Sequence, residues 1–298
     1  MNKINVCISS SDSYAKYAGV VVASILYNAS FDDEISFYIL DGGISQENKD
    51  KVYSLKSIKD CEINFVQVDE KMFDCYKQVK THGYILLPTY FRLKLATLLP
   101  DVDKIIYLDC DTVVNTSLKD LFNEDTSEYL IAGVSDINRN MVRKNPNYVN
   151  AGMLLIDLDN IRKDGTEEKF YKYTKENLEK IKTGDQEIIN EVCKSKIKVI
   201  DCEWNVQVSN FTNRSSYTKT PKIIHYVSSS KPWNYGSYSY FKNYWFKYLQ
   251  LTPWKLKDEE KFHWYFKNQI ISMFNYWKHR PLFMLRPRFY KALWCTYK

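Results

Sequence analysis

Short apolar runs of strand length alternate with helix-forming segments along the first third of the chain, and this alternation constrains the fold more than any other feature. Strands are predicted at residues 4–8, 35–40, 63–68 and 104–108, and helices at residues 14–28, 45–58 and 89–99. Ser45 is the predicted cap of the second helix, and Pro100 ends the third. This β-α-β-α-β order indicates an α/β sheet that is largely parallel, with helices on both faces.

The pattern continues in the second half, where the chain later changes in character. Strands are predicted at residues 129–134, 152–158, 197–201 and 222–227, and helices at residues 166–182 and 185–194. From Phe241 onward the chain becomes aromatic and basic, with a boundary near residue 250. We therefore expect one Rossmann-like mixed sheet flanked by helices in residues 1–250, and a helical C-terminal extension in residues 251–298.

The composition fits a folded protein without a membrane span. The 298 residues are 45% hydrophobic, and no run of 18 apolar residues occurs. The N-terminal segment passes directly into a predicted strand without the apolar stretch of a signal peptide, which predicts a cytoplasmic protein. The seven cysteines form no Cys-x-x-Cys pair, which disfavours zinc-ribbon and thioredoxin-like sites and fits reduced thiols.

The positive charge of the chain lies in its C-terminal extension. Residues 251–298 hold ten Lys or Arg and three Asp or Glu, whereas the whole chain has a net charge of +6. Four tryptophans lie among these cations: Trp254, Trp264, Trp277 and Trp294. This composition favours an anionic membrane surface, on the inner face of the cell membrane, over nucleic acid. The alternative is a helical subdomain that packs on the core through its aromatic side chains.

Two aspartates follow the predicted strand 104–108. Side chains at i and i+2 of an extended segment share a direction, so Asp109 and Asp111 point one way and Cys110 the other. Adjacent carboxylates repel each other, and a divalent metal that bridges to a phosphate-bearing substrate is the usual solution. The alternative is a strand end with two solvated acids. Cys110 is interpreted as a packing residue, because its acidic neighbours favour the neutral thiol.

The same motif matches haloacid-dehalogenase-like phosphatases, in which the first aspartate is the nucleophile. Those enzymes carry the motif on their first strand, whereas three predicted strands precede Asp109 here. No later pair of acids follows an apolar strand to complete that metal site. The phosphatase interpretation is therefore disfavoured.

Three further motifs carry polar groups suited to a metal-diphosphate or a sugar. His225 ends a short apolar strand and Lys231 follows six residues later, and imidazole among oxygen ligands favours Mn²⁺ over Mg²⁺. Gly184-Asp185-Gln186 opens a helix, either as its cap or as a carboxylate and a carboxamide that face a reacting sugar. Asn150-Ala151-Gly152 fits a turn into a strand, and its asparagine also suits sugar hydroxyls. A hydrogen-bonded core histidine is the alternative for His225.

Together these motifs resemble glycosyltransferase family 8, which contains retaining enzymes such as glycogenin and bacterial lipooligosaccharide galactosyltransferases. The match runs in order through Thr89-Tyr90-Phe91-Arg92-Leu93-Lys94-Leu95, Asp103-Lys104 to Asp109-Cys110-Asp111, Asn150-Ala151-Gly152, Asp185-Gln186, His225-Tyr226 and Lys231-Pro232-Trp233. It covers residues from about 4 to 235. Each motif is weak alone, but their common order is specific.

The resemblance implies a GT-A fold and transfer of galactose or glucose from a UDP-sugar to a cell-surface glycan or glycolipid. Asp109, Asp111 and His225 match the ligands of Mn²⁺, for which Mg²⁺ is an alternative. Lys231 matches the lysine at the diphosphate, Tyr14 the aromatic residue on uracil, and Asp185 and Gln186 the pair nearest the anomeric carbon. The candidate donor-binding residues are Ser9, Ser11, Tyr14, Arg92, Cys110, Asp136, Asn150, Ala151 and Lys231.

The chain departs from the family pattern at two positions. Ser11 stands where the family often has aspartate, and Ser228 replaces the glycine of His-x-x-Gly-x-x-Lys-Pro-Trp. If that glycine has positive φ, the serine would strain the loop by about 1 kcal/mol. A catalytically weak sugar-nucleotide-binding or scaffold protein is therefore a third hypothesis. For an active enzyme we expect front-face attack, with Gln186 stabilising the oxocarbenium-like centre, and a covalent Asp185 intermediate is the alternative.

Overall fold

The structure is a computed structural model that describes residues 3–81, 87–208, 220–227, 229, 231–235, 237 and 239–279. The ten strands in these ranges are β1 (Lys3–Ser11), β2 (Glu34–Gly42), β3 (Glu62–Gln67), β4 (Lys104–Leu108), β5 (Thr112–Val114), β6 (Ile131–Ser135), β7 (Val149–Asp157), β8 (Ile197–Val199), β9 (Val206–Gln207) and β10 (Ile223–His225). The ten α-helices in the same ranges are α1 (Ala15–Asn28), α2 (Gln46–Tyr53), α3 (Leu95–Leu98), α4 (Lys119–Phe122), α5 (Arg139–Lys144), α6 (Leu158–Asp164), α7 (Thr166–Glu176), α8 (Asp185–Val192), α9 (Lys242–Leu249) and α10 (Asp258–His279).

Seven strands form the main sheet, in the order β3-β2-β1-β4-β7-β6-β8. Strands β1 to β4 pair in parallel, whereas β7 runs antiparallel to both β4 and β6. Alternate residues of β1 enter two different apolar clusters: Ile4, Val6 and Ile8 pack on one face and Cys7 on the other. The predicted α/β class, with a mixed sheet covered on both faces, is confirmed.

A second sheet of three short strands, β5-β10-β9, lies beside the main sheet and was not predicted. Strand β10 runs antiparallel to β5, where His225 faces Thr112, and parallel to β9, where His225 faces Gln207. Because Thr112 directly follows Asp111, this pairing brings the histidine to the acidic motif across more than a hundred residues of chain.

Three predicted helices differ from the observed ones. Helix α2 ends at Tyr53 and a 3-10 helix follows over Ser54–Ser57, whereas one helix was predicted for residues 45–58. Residues Leu87–Lys94 form a 3-10 helix and only Leu95–Leu98 are α-helical, whereas one helix was predicted for residues 89–99. Four consecutive residues of the 3-10 segment are buried, Tyr90 to Leu93, so its side chains are held on more than one side and no single apolar stripe of an α-helix forms. Helix α7 ends at Glu176 and not at residue 182, since Asn177 has left helical geometry and its side chain bonds back to the Tyr173 carbonyl.

The C-terminal extension packs on the core through its first tryptophans. The Trp254 ring lies directly against Gly19 of α1, so that a methyl group on this glycine would collide with it. Trp264 of α10 is buried against Phe246 of α9, with ring centroids 4.4 Å apart. Residues 280–298, including Trp294, lie outside the described residues. No helix in the described ranges is both long and apolar enough to span a membrane.

Candidate functional site

Three potential metal ligands meet at the carboxyl end of β4. Asp109 directly follows β4, Asp111 directly precedes β5, and His225 ends β10. His225 Nε2 lies 3.1 Å from Asp111 Oδ1 and 4.0 Å from Asp109 Oδ2. One ligand atom from each residue can be chosen so that all three lie within 4.8 Å of one another. The structure thus brings the three predicted ligands together, with two carboxylates and one imidazole around a common point.

The electrostatics of Asp111 fit a cation at that point. Its Oδ2 accepts a hydrogen bond from Lys231 Nζ at 2.6 Å, while its buried Oδ1 has no hydrogen-bond partner within the described part of the chain. Burial raises the pKa of this carboxyl, but His225 and Lys231 outweigh burial and hold the pKa well below its usual range. An ionised, buried oxygen without a donor is costly unless a cation satisfies it.

Gly152 makes the space for this arrangement. A Cβ on Gly152 would lie 2.7 Å from His225 Nε2 and 2.8 Å from Asp109 Oδ2. The glycine belongs to β7, and its carbonyl accepts the Asp109 amide at 2.9 Å. The role of this glycine is therefore steric, because it lets the imidazole and the carboxylate approach the sheet backbone.

A buried arginine connects the acidic motif to the start of α8. Arg92 Nη2 lies 2.7 Å from Asp109 Oδ1, and its Nε lies 3.1 Å from Asp185 Oδ2. Its Nη1 donates to the Ala151 carbonyl, and its guanidinium lies 4.2 Å from the Tyr107 ring centre. Burial raises the pKa of Asp185 to about 6, although the arginine opposes that shift. Arg92 is thus engaged within the protein by two site carboxylates.

Asp136, Asn150 and Gln186 form one hydrogen-bonded group beside the triad. Gln186 Nε2 donates to Asp136 Oδ2 at 3.0 Å, and Gln186 Oε1 accepts from the Ala151 amide at 3.1 Å. Asn150 Nδ2 lies 3.2 Å from both Asp136 Oδ2 and Gln186 Oε1. The structure therefore brings these sequence-predicted residues together at the ends of β6, β7 and α8.

Two buried amides in this region were missed by sequence reasoning. Asn205 is 2% exposed and lies between His225 Nδ1, at 3.1 Å, and Asn150 Oδ1, at 3.0 Å. Gln207 in β9 is 4% exposed and bonds the backbone of residues 135 and 137. No spacing rule singles out these amides, because their partners lie 20 to 72 residues away along the chain.

The residues predicted at the end of β1 are placed in different environments. Ser9 donates to the Pro88 carbonyl, and Cys110 donates to the Ser9 carbonyl at 3.1 Å. Burial raises the pKa of the Cys110 thiol well above its usual range, so this residue packs as a neutral thiol. The Ser11 hydroxyl lies 3.1 Å from the Ser13 hydroxyl, and Tyr14 is 38% exposed.

The Lys-Pro-Trp segment is held against α1 by aromatic stacking. Trp233 stacks on Tyr17 with ring centroids 4.1 Å apart, and Tyr17 in turn contacts Tyr14 edge-on at 5.3 Å. Lys231 Nζ also donates to the Tyr226 carbonyl at 2.6 Å. Ser228, the substituted position of the predicted loop, lies outside the described residues.

Comparison with known proteins places this geometry in context. The family model described as "Glycosyl transferase family 8" matches residues 5–237. The chain is 33% identical over 245 residues to a putative glycosyltransferase of Haemophilus influenzae, covering 78% of this chain and 73% of the relative. It is 27% identical over 265 residues to general stress protein A of Bacillus subtilis, and the match covers 82% of this chain and 92% of that relative.

A solved galactosyltransferase, LgtC in complex with donor and acceptor sugar analogues, has a similar fold. The two structures superpose with a TM-score of 0.71 and 24% sequence identity. The match covers 87% of this chain and 99% of the solved chain. The architecture of nearly the whole solved chain is therefore present here.

Proposed function

The chain belongs to glycosyl transferase family 8, and on that premise we propose that it transfers galactose or glucose from a UDP-sugar, with retention at the anomeric carbon. Its fold is the GT-A fold, and family membership makes it a transferase with a sugar donor and a glycan acceptor. The phosphatase alternative is set aside by the same membership. The observation that carries the proposal is the Asp109, Asp111 and His225 triad with Lys231 bound to it.

The triad suits a divalent metal, and its single imidazole among carboxylates supports Mn²⁺. Asp109, Asp111 and His225 would hold the ion, since one ligand atom from each lies within 4.8 Å of the others. Asp111 Oδ1, which has no hydrogen-bond partner among the described residues, lies 3.1 Å from His225 Nε2. When bound, such an ion would neutralise negative charge on a leaving diphosphate. Lys231, whose side chain is 24% exposed, would add a second positive charge at the same end of the donor.

The residues near the sugar support attack from the same face as the leaving group. Both lone-pair positions of Gln186 Oε1 already accept N–H donors, from Ala151 and Asn150, which makes the amide a poor nucleophile. Asp185 is 6% exposed and paired with Arg92, so its carboxylate is restrained away from free attack. We propose that Asp136, Asn150 and Gln186 orient sugar hydroxyls, and that Gln186 stabilises positive charge at the anomeric centre. A glycosyl adduct on Asp185, found by mass spectrometry of protein quenched during turnover, would overturn this mechanism.

The acceptor that we propose is a cell-surface glycan such as lipopolysaccharide or capsule. The solved galactosyltransferase, which was crystallised in complex with donor and acceptor sugar analogues, supports a sugar acceptor for this chain. Because glucose and galactose differ only at the C4 hydroxyl, the donor has to be found by assay.

The decisive assay is release of free UDP from a panel of UDP-sugars, with Mn²⁺ and with EDTA. We expect release from UDP-glucose or UDP-galactose that depends on the metal and rises when a glycan acceptor is added. UDP binding without turnover of any donor would instead favour the third hypothesis, a catalytically weak sugar-nucleotide-binding protein. Phosphate release from phosphomonoesters without UDP release would contradict the proposal altogether.

We further propose that the C-terminal extension attaches the enzyme to an anionic lipid surface. Helix α10 exposes Phe266, Ile270 and Phe274, which are 56%, 51% and 62% exposed and recur every fourth residue on one face. Residues 251–298 carry ten cations against three acids, which complements acidic headgroups. The extension thereby combines apolar insertion with electrostatic attraction.

Vesicle co-sedimentation of the full chain tests this attachment. Wild-type protein should sediment with phosphatidylglycerol vesicles and much less with phosphatidylcholine vesicles. Ile270→Glu should weaken the binding severalfold, because it places an acid on the exposed face. The matched control is Phe31→Glu, at a fully exposed phenylalanine between α1 and β2, which should bind like wild type. Equal binding by wild type and Ile270→Glu would refute the attachment.

A further inference from the structure

A continuous chain of buried side-chain amides joins the metal triad to the proposed sugar site. His225 Nδ1 contacts Asn205 Oδ1, and Asn205 Nδ2 contacts Asn150 Oδ1. Asn150 in turn bonds Asp136 and Gln186 through its Nδ2. Asn205, Asn150 and His225 are each less than 8% exposed, so water contributes little to these contacts.

A backbone amide fixes the direction of the hydrogen bonds that link Asn150, Asn205 and His225. The Gly152 amide, which can only donate, lies 3.1 Å from Asn150 and therefore identifies the accepting atom as Oδ1. The group of Asn205 that faces this oxygen must be its NH₂, so its own Oδ1 is turned to the imidazole. An amide oxygen only accepts, and His225 Nδ1 must consequently carry the proton.

The other ring nitrogen of His225, Nε2, also faces a hydrogen-bond acceptor. His225 Nε2 lies 3.1 Å from Asp111 Oδ1, which has no hydrogen-bond partner among the described residues and would accept a hydrogen bond from a protonated Nε2. A proton at Nε2 would occupy the position that a metal needs. The acceptor on the Nδ1 side therefore decides whether the triad is open to a cation.

We propose that Asn205 is a positioning residue that holds the His225 proton on Nδ1 and so presents the Nε2 lone pair to the metal site. Its second hydrogen bond, to Asn150, ties the same imidazole to the amide group that orients Gln186. One buried side chain thus couples the metal end of the donor site to its sugar end. The coupling role rests on the proposed function, whereas the proton position is a property of the metal-free protein.

Nitrogen NMR of the metal-free protein tests the proton position without any transferase activity. With ¹⁵N-labelled histidine, the chain gives signals from four histidines, and His225→Gln identifies those of His225 by their loss. In its neutral form, wild-type His225 should carry its proton on Nδ1. Asn205→Ala should shift the population towards the Nε2-protonated form. A wild-type His225 with its proton on Nε2 would overturn the proposal.

Mn²⁺ binding, followed by the EPR signal of the free ion, tests the consequence for the metal. Asn205→Ala should bind Mn²⁺ about 10-fold to 100-fold more weakly than wild type. The control is Asn145→Ala, which removes another buried asparagine without a described contact to the triad and should leave Mn²⁺ affinity unchanged. Unchanged affinity in Asn205→Ala would also overturn the proposal.

Asn205→Asp tests separately the hydrogen bonds of residue 205 to His225 and to Asn150. It also provides the test if the alanine variant fails to fold. One carboxylate oxygen can still accept from His225 Nδ1, so the proton position and Mn²⁺ affinity should stay close to wild type. The other oxygen would face Asn150 Oδ1, where two acceptors repel, so kcat should fall with little change in the KM for Mn²⁺. Loss of Mn²⁺ binding in this variant, or an unchanged kcat, would contradict the two assigned roles.

Discussion

Replacing Gly152 by alanine should disable the metal site while the sheet still folds. The new Cβ would lie 2.7 Å from His225 Nε2 and 2.8 Å from Asp109 Oδ2. Unstrained contacts of this kind need about 3.5 Å, so the carboxylate must move by roughly 0.7 Å. The imidazole must move further, because its Cε1 would lie closer to the new Cβ than either of these atoms. Metal sites tolerate ligand displacements of about 0.2 Å, and the required shift is several times larger. We expect Mn²⁺ affinity to fall by about 100-fold, which corresponds to about 2.7 kcal/mol.

The assay is an EPR titration of free Mn²⁺, paired with thermal melting followed by circular dichroism. Gly133→Ala is the matched control, since it adds the same methyl group in the neighbouring strand of the sheet. Its Cβ would lie 3.1 Å from Leu154 Cδ2 and from Val149 Cβ, which are apolar atoms outside the triad. This variant should lose about 1–3 kcal/mol of stability through overpacking but keep wild-type Mn²⁺ affinity. A Gly152→Ala protein with wild-type affinity and wild-type melting would refute the steric reasoning.

Three further substitutions probe other parts of the structure. Arg92→Gln should lower the free energy of unfolding, measured by urea titration, by about 3–5 kcal/mol, because it leaves the buried Asp185 without its counter-charge. A variant as stable as wild type would contradict this ion pair. Tyr14→Ala should raise the KM for the UDP-sugar about 10-fold with little change in kcat, as expected for a lost base stack, whereas the equally exposed Tyr53→Ala should leave KM unchanged. Burial raises the pKa of Asp164, but hydrogen bonds that include Lys169 outweigh it and hold the pKa well below its usual range. The ionised form of Asp164 therefore stabilises the fold above a pH of roughly 4, and this stabilisation is lost as the pH falls further. The difference in melting temperature between wild type and Asp164→Asn should shrink in acid. A difference that does not change with pH would contradict the stabilising role of the ionised carboxylate.

The main sheet was predictable because its strands are apolar, long enough to recognise and separated by helix signals. All seven strands of the main sheet lie within a few residues of predicted runs. The small second sheet was not predictable in this way, since β5 and β9 contain only three and two residues. Their pairing depends on β10, which lies more than a hundred residues after β5, and local pattern carries no information about that contact.

The candidate site was predictable where a motif ends a strand or starts a helix. Asp109, Asp111 and His225 were identified individually, and the structure brings them to one point. Asn205 and Gly152 could not be given their roles from sequence, because those roles follow from distances across the fold. Arg92 was expected at the donor, and its pairing with the two site carboxylates Asp109 and Asp185 could not be read from the sequence.

Anomalous diffraction at the manganese edge, from crystals grown with MnCl₂ and UDP, tests the proposed metal site itself. We expect a manganese peak within bonding distance of Asp109, of Asp111 Oδ1 and of His225 Nε2, with the diphosphate of UDP against it and near Lys231. UDP bound at the carboxyl end of β4 with no manganese on these three side chains would contradict the proposed site. A manganese peak elsewhere, with the triad unliganded, would contradict it equally.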